Sequence, residues 1–139
     1  MKNHLLADKY PIHVLELSKD ETSHAHLDEL IRALEQQAEV DPTVNLIAVF
    51  DHLAHTRLIG GQIRDDIVGA KNLVFCFGVK LTDPTMLAVR PRSIGVAELP
   101  DRFVVSFLEA PMPEANRKMT QWVMGLRYGS PATPAGAAG

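Results

Sequence analysis

The segment DHLAH at residues 51–55 has the side chains best suited to chemistry in this sequence. A carboxylate beside an imidazole can fix the imidazole's tautomer, and histidines three residues apart can share one face of a helical turn. His52 and His55 would then serve a metal ion or a proton transfer. The alternative is that Asp51 caps a turn and both imidazoles are solvated. Arg57 follows, and its guanidinium would either hold an anion or lie in solvent.

From this segment we predict a ligand-binding site composed of four side chains, Asp51, His52, His55 and Arg57. His52 and His55 are its predicted metal ligands. Neutral nitrogen donors beside one cation suit a ligand with an anionic group, or a single axial bond to a metal such as a haem iron. They suit a closed structural zinc site less well, because such a site needs four ligands. The cofactor is therefore unknown, with a metal ion or a haem as the candidates.

The other side chains capable of chemistry carry weaker signals. His24 and His26 precede a helix without a cysteine or carboxylate partner at ligand spacing, so we interpret them as exposed polar residues. His13 lies alone on a predicted strand. Cys76 lies between two phenylalanines, which predicts a buried and unreactive thiol, because reactive thiolates need an accessible, electropositive setting.

The composition disfavours several classes of partner. A formal net charge of -3, with no run of five or more like charges, gives no basic surface for nucleic acid or an anionic membrane. The apolar runs are far shorter than the roughly 20 residues of a membrane-spanning helix. The amino terminus lacks the apolar stretch of a signal peptide, and a single cysteine cannot form an internal disulfide. We therefore expect a cytoplasmic protein with no nucleic-acid or membrane partner.

The first half of the sequence predicts a strand, a helix and a second strand that together position the DHLAH segment. Side chains at residues 12–17 alternate as in a strand. Thr22 or Ser23 can cap the helix that follows. Its apolar stripe has helical spacing and consists of Leu27, Leu30, Ile31, Leu34 and Ala38. Residues 44–50 are continuously apolar, which predicts a strand covered on both faces.

The second half predicts two more strands, a short helix and a final helix. Residues 51–72 are rich in turn residues, and strands are predicted at 73–77 and 102–108. A short helix is expected near residues 82–89. The last helix starts at Pro113, and its stripe consists of Ala115, Met119, Trp122, Val123 and Leu126.

These elements predict a small α+β fold. Its antiparallel or mixed sheet would have about four to five strands packed with two main helices. The expected order is strand, helix, strand, strand, short helix, strand, helix. We predict a single domain over residues 1–128. Residues 129–139, GSPATPAGAAG, are expected to be a flexible tail, because ordering them would bury no large apolar side chain.

Short motifs around the second strand also carry a family resemblance. FDH at residues 50–52 closes an apolar strand, a further strand ends in Phe77-Gly78, and Leu99-Pro100 makes a turn before another strand. Their order resembles the bacterial family called domain of unknown function 302. The resemblance implies a compact α+β fold that tends to form dimers, and it implies no established activity.

Two functions fit these observations. The first is a non-catalytic homodimeric module that binds a small molecule, a metal ion or a haem near Asp51, His52 and His55. The second is an enzyme in which Asp51 orients His52 as a general acid or base on a small substrate. We favour the first, because the sequence has no recognisable nucleophile, complete metal set or cofactor fingerprint. The apolar second strand also favours a homodimer, since it offers more surface for burial than a small monomer requires.

Overall fold

A computed structural model of the protein describes residues 1–128. Within them the strands are β1 (Lys2–Leu6), β2 (Tyr10–Ser18), β3 (Asn45–Asp51), β4 (Gly69–Cys76), β5 (Arg92–Glu98) and β6 (Arg102–Leu108). They form one antiparallel sheet in the order β1-β2-β6-β5-β4-β3. β1 and β3 are therefore the two edge strands.

The α-helices of the described residues are α1 (Leu27–Glu39), α2 (His52–Leu58) and α3 (Pro113–Met124). Two short 3₁₀ helices lie at Lys19–Glu21 and Pro84–Val89. α1 and α3 share a hydrophobic core with one face of the sheet, whereas α2 follows β3 directly and contacts β4. None of these helices is long and apolar enough to cross a membrane.

The core lies between α1, α3 and one face of the sheet, because strands direct alternate side chains to opposite faces. The strands contribute Leu15, Leu17, Leu73, Phe75, Ile94, Val96, Phe103 and Val105. The two helices, together with Leu126 just after α3, contribute the apolar stripes that the sequence predicts, and every residue of both stripes is buried. The spacing arguments for α1 and α3 are therefore confirmed.

The structure contradicts the predicted sheet of four to five strands with two main helices, and it contradicts the predicted order. Residues 1–128 contain six strands and three α-helices, in the order β-β-α-β-α-β-β-β-α. The sequence interpretation lacks β1, α2 and β5. β1 is exposed along its whole length, so no apolar face marks it. α2 buries only Leu53, and Gly95 interrupts the apolar pattern of β5.

β3 also differs from the prediction that residues 44–50 form a strand covered on both faces. It is an edge strand, and its side chains are mostly exposed. Val49 and Phe50, which point to opposite faces, are each 42 % exposed. A register shift between Leu46 and Ala48 interrupts its pairing with β4. The continuous apolar run therefore predicted the strand correctly, but its burial on both faces was predicted wrongly.

The second face of the sheet, which we call the open face, bears no fully buried side chain within residues 1–128. The central residues of the open face are Ile12, Val14, Phe50, Ala70, Asn72, Val74, Gly95, Ala97, Val104 and Ser106. Most of them are apolar, and most are half-buried.

The predicted tail at 129–139 lies outside the described residues, and the extent of the single domain stays a prediction.

Candidate functional site

α2 begins where β3 ends, and Asp51 makes this junction. The Asp51 carboxylate accepts a hydrogen bond from the Ala54 N–H at 2.9 Å, which is the arrangement of a helix N-cap. The chain thereby leaves the sheet within one residue. Such a turn is needed if Asp51 and His52 are to lie on the same side, because neighbouring residues of a strand face opposite sides. Asp51 is thus engaged with the backbone, and within the described residues its carboxylate makes no hydrogen bond to an imidazole.

Thr56, rather than Asp51, orients His52. The Thr56 hydroxyl donates to the His52 carbonyl oxygen at 3.0 Å and lies 3.1 Å from His52 Nδ1. A hydroxyl has one proton, so the second contact requires that Nδ1–H donates to Thr56 Oγ1. In the neutral imidazole, Nε2 then keeps a free lone pair, which can accept a hydrogen bond or bind a metal.

His52 and His55 lie together with Phe50 in an exposed ring cluster. The centroids of the two imidazoles are 5.8 Å apart, and each lies 5.5 Å from the Phe50 ring. The structure therefore brings the two predicted metal ligands side by side. Within residues 1–128 no group of three or more His, Cys, Asp or Glu side chains could hold a metal ion. The pair would supply two of the ligands such an ion needs.

The other two predicted site residues lie elsewhere around α2. Arg57 follows His55 by two residues, which is about 200° around an α-helix, so the two side chains point to opposite sides. Asp51 lies beside Lys71 in the register between β3 and β4 and lines a groove with Asp28 and Glu98. The hydrogen bond from Lys71 to Asp28, at 2.7 Å, raises the pKa of the Lys71 ammonium, and the Asp51 carboxylate adds to that rise.

His52 forms one wall of a shallow hollow on the open face. The volume of this hollow is about 220 Å³, and its floor is built by β4, β5 and β6. The registers place one row of residues straight across the sheet there, namely Phe50, Asn72, Gly95, Ser106 and Val14. Its polar side chains beside His52 are those of Asn72 and Ser106. Lys71 also borders the hollow, but its ammonium donates to Asp28 of α1 on the other side of the sheet.

Gly95 provides the depth of the hollow. A Cβ atom at this position would lie 3.2 Å from Asn72 Nδ2 and 4.0 Å from Ser106 Oγ. The absent side chain therefore leaves a gap between an amide and a hydroxyl. Both groups can donate and accept hydrogen bonds. Together with His52 Nε2 they form an uncharged set of polar groups surrounded by small apolar side chains.

The sequence interpretation did not identify Asn72, Gly95 or Ser106. A signal was present, since Asn72 and Ser106 are isolated polar residues inside apolar strand sequences, KNLVFCF and FVVSFL. A polar residue at such a position either faces solvent or marks a site. The strand order decides between these cases, because only the pairing of β4, β5 and β6 places the three residues in one row.

The remaining histidines and Cys76 lie outside this hollow. His13 stacks on Phe107 with a centroid distance of 4.8 Å. His24 Nδ1 lies 3.8 Å from Glu29, and His26 precedes α1 as its N-cap residue. Cys76 is half-buried rather than buried, because strand alternation turns it to the open face while its phenylalanine neighbours enter the core.

Fold and site define a small α+β domain with two helices on one side of an antiparallel sheet and, on the other, a shallow hollow that contains three polar side chains. The chain belongs to the family of unknown function DUF6858, whose model matches residues 1–128. Among curated proteins, none matches the chain.

The resemblance to the domain of unknown function 302 is therefore wrong, because the chain matches a different family over residues 1–128. The motifs that carried it are strand ends and turns, such as residues 50–52 and Leu99-Pro100. Strand ends and turns of this kind occur in many unrelated α+β folds, so their order is weakly specific.

Proposed function

We propose that this protein is a homodimeric binding module that holds a small, uncharged polar molecule between the open faces of two copies. The observation that carries the proposal is the hollow at His52, Asn72 and Ser106, set in a sheet face that no helix within residues 1–128 covers. The hollow is shallow in one copy. A second open face would enclose it and exclude water from its polar groups.

The charge pattern of the open face supports a second copy as the occupant. On β3, β4 and β5, within their described bounds, no open-face side chain is charged. On β6 the one charge is Arg102, whose Nε lies 3.2 Å from the Glu16 carboxylate on β2. At the edge strand β1, the register places Lys2 on the same face. A face whose few charges are of both signs and lie away from its centre does not strongly repel a copy of itself, as two-fold association of one surface requires.

The size and exposure of the open face support the same conclusion. Six strands about 4.8 Å apart and about seven residues long make a face of roughly 24 by 23 Å. Its area of roughly 550 Å² is smaller than the 800 Å² or so that each partner buries in a standard interface, but it is above the roughly 500 Å² per partner at which a biological interface becomes plausible. This mostly apolar face lies at the upper end of the size range of the largest apolar patches on typical monomers, and such patches are often functional.

Substitution of Val104 by Lys tests the dimer. Val104 is a half-buried open-face residue near the hollow, so a lysine there would place like charges at the centre of the interface. We expect sedimentation to show a dimer for the wild-type chain at micromolar concentration and a monomer for Val104→Lys. Val40→Lys is the matched control, because Val40 follows α1 as its C-cap residue and is 66 % exposed. A wild-type monomer at that concentration would exclude the dimer.

Substitution of His52 by Ala tests the hollow separately. Metal content, absorption spectrum and retained small molecules are measured on the purified wild-type chain, His52→Ala and His24→Ala. The spectrum and metal content test a haem or a metal ion on His52, since its Nε2 is also the natural ligand for either. We expect the retained molecule to fall about tenfold in His52→Ala, the effect of losing one well-placed polar contact. Equal retention by the two variants would remove His52 from the site.

A further inference from the structure

A second pocket lies at the start of β5, beside Arg92, on the core side of the sheet. Its volume is about 140 Å³, and it is bounded by apolar side chains of the 3₁₀ helix at Pro84–Val89 and the segment that leads into α3. Its walls include Phe77, Met86, Val89, Met112 and Ala115. It shares no residue with the hollow at His52.

Arg92 and Arg90 are the charged residues of this pocket. Arg92 Nη1 donates to the Val89 carbonyl at 3.2 Å, and Nη2 donates to the Leu108 carbonyl at 2.6 Å. Arg90 Nη1 donates to the Lys80 carbonyl at 2.6 Å. These contacts fix both guanidinium groups through neutral carbonyl oxygens, and within residues 1–128 no carboxylate forms a salt bridge with either arginine.

Arg92 differs in this respect from comparable arginines of the chain. Three arginines in the described residues have a buried Nε without a hydrogen-bond partner, namely Arg92, Arg102 and Arg127. Arg102 has the Glu16 carboxylate at 3.2 Å, and Arg127 has the Glu21 carboxylate at 3.8 Å. Of these three arginines, Arg92 is the one that forms no salt bridge with a carboxylate within residues 1–128. Burial lowers the pKa of the Arg92 guanidinium, yet an arginine stays protonated at neutral pH.

We propose that this pocket binds a small monocarboxylate with an apolar body, whose carboxylate pairs with Arg92. A partly buried positive charge without a counter-ion is costly, and a carboxylate that accepts from the guanidinium would supply one. Of the five N–H groups of Arg92, two donate to carbonyl oxygens, so others remain for a ligand.

The size of the pocket sets the size of the apolar body. An apolar cavity of about 150 Å³ accommodates a benzene ring. A ligand with a single ring or about six carbons therefore fits between Phe77, Met86 and Met112. The first turn of α3, at Ala115, lies at the positive end of the helix dipole, which also favours an anion.

Benzoate is the probe for this pocket, with benzamide as its uncharged control of the same shape. Backbone amide signals of the wild-type chain are followed by NMR as each compound is added. We expect saturable shifts with benzoate at Val89, Ala110 and Ala115, and binding of benzamide at least about tenfold weaker, because a charge-assisted hydrogen bond is lost. This comparison needs no variant, so it holds even where a substitution affects folding.

Variants then assign the carboxylate contact. We expect Arg92→Gln to weaken benzoate binding about tenfold or more, and Arg92→Lys to recover part of it because the charge returns. Arg117→Gln should bind benzoate like the wild type, because Arg117 is exposed and paired with Glu114 on α3. The proposal is overturned if benzoate causes no saturable shift up to about 10 mM. It is also overturned if benzamide binds equally well, or if folded Arg92→Gln binds as tightly as the wild type.

Discussion

At the scale of single residues, the pairing of His52 with Thr56 determines which nitrogen of the imidazole is free at the open-face hollow. Thr56 holds the imidazole through Nδ1 and leaves Nε2 as an acceptor. Asn72 and Ser106 then supply donors from the floor of the hollow. A neutral molecule with both a donor and an acceptor satisfies this set, whereas an anion would find no cation among the three.

Thr56→Val should remove the contact that keeps the proton of the neutral His52 ring on Nδ1. Valine keeps the branched shape of threonine but lacks the hydroxyl, so the Nδ1–H would lose its acceptor. We expect ¹⁵N NMR of the neutral imidazole to show mainly Nδ1–H in the wild type and a mixture of tautomers in the variant. Stability should change by less than about 0.5 kcal/mol, because the helix surface tolerates such changes.

Thr56→Ser is the matched control, since serine keeps the hydroxyl and should keep the Nδ1–H tautomer. His55 serves as an internal reference, because within the described residues its ring makes no hydrogen bond to a side chain. A wild-type His52 that carries its proton mainly on Nε2 would contradict the assignment and would turn the group facing the hollow from an acceptor into a donor.

At the scale of elements, the helices with strong periodicity were predictable and the elements without it were not. The stripes of α1 and α3 are buried as their spacing predicts. β6 spans the predicted residues 102–108. β1 and α2 carry no comparable pattern, because each exposes nearly all of its side chains. The site followed the same rule: His52 and His55 were predictable as neighbours on a turn, whereas their partners on β4, β5 and β6 required the strand order.

The N-terminus of α1 shows why local signals can fail. The sequence favours Thr22 or Ser23 as the cap, yet the helix begins at Leu27 with His26 before it. The Leu27 N–H donates to Glu98 Oε1 at 2.9 Å, so the capping carboxylate comes from β5. The other oxygen, Oε2, accepts from Lys19 at 2.8 Å. A residue 71 positions away cannot be identified as a cap from the local sequence.

Glu98→Gln should therefore remove a pH-dependent part of the stability. Burial alone would raise the pKa of the Glu98 carboxyl, but the hydrogen bonds from Lys19 and Leu27 outweigh it and lower the pKa. A lowered folded-state pKa stabilises the protein above the unfolded value of about 4.3, and this contribution is lost as the pH falls through the folded value. We expect the variant to be less stable by about 1–2 kcal/mol at pH 7.

Urea unfolding at pH 7 and at a series of lower pH values measures this difference. The gap between wild type and Glu98→Gln should shrink as the pH falls through the lowered folded-state pKa of Glu98, because the wild-type carboxylate is then protonated as well. Glu39→Gln provides the control, since Glu39 is exposed at the end of α1 and should show no such gap. A gap that stays constant with pH would mean that shape, rather than charge, makes Glu98 matter.

At the scale of the whole molecule, the two faces of the sheet differ in what covers them. α1 and α3 cover one face and make the core, while the open face keeps apolar side chains that no helix of the described part of the chain covers. Burial of that second face in a dimer would add the hydrophobic stabilisation that a sheet covered on one side lacks. The hollow at His52 and the pocket at Arg92 lie on opposite faces, so a dimer through the open face would leave the Arg92 pocket accessible.

A dimer of this kind makes thermal stability depend on protein concentration. Unfolding of a dimer into separate chains is opposed by mass action, so the melting temperature rises as the chain becomes more concentrated. For a dimer of this size we expect a rise of about 3 °C for each tenfold increase. Val104→Lys should melt at a temperature independent of concentration, because like charges would face each other at the centre of its interface. Val40→Lys should follow the wild type, since its new charge lies at the end of α1. Scanning calorimetry over a hundredfold range of concentration distinguishes these cases. A wild-type melting temperature that stays constant over that range would mean that the open face is stable in water without a second copy.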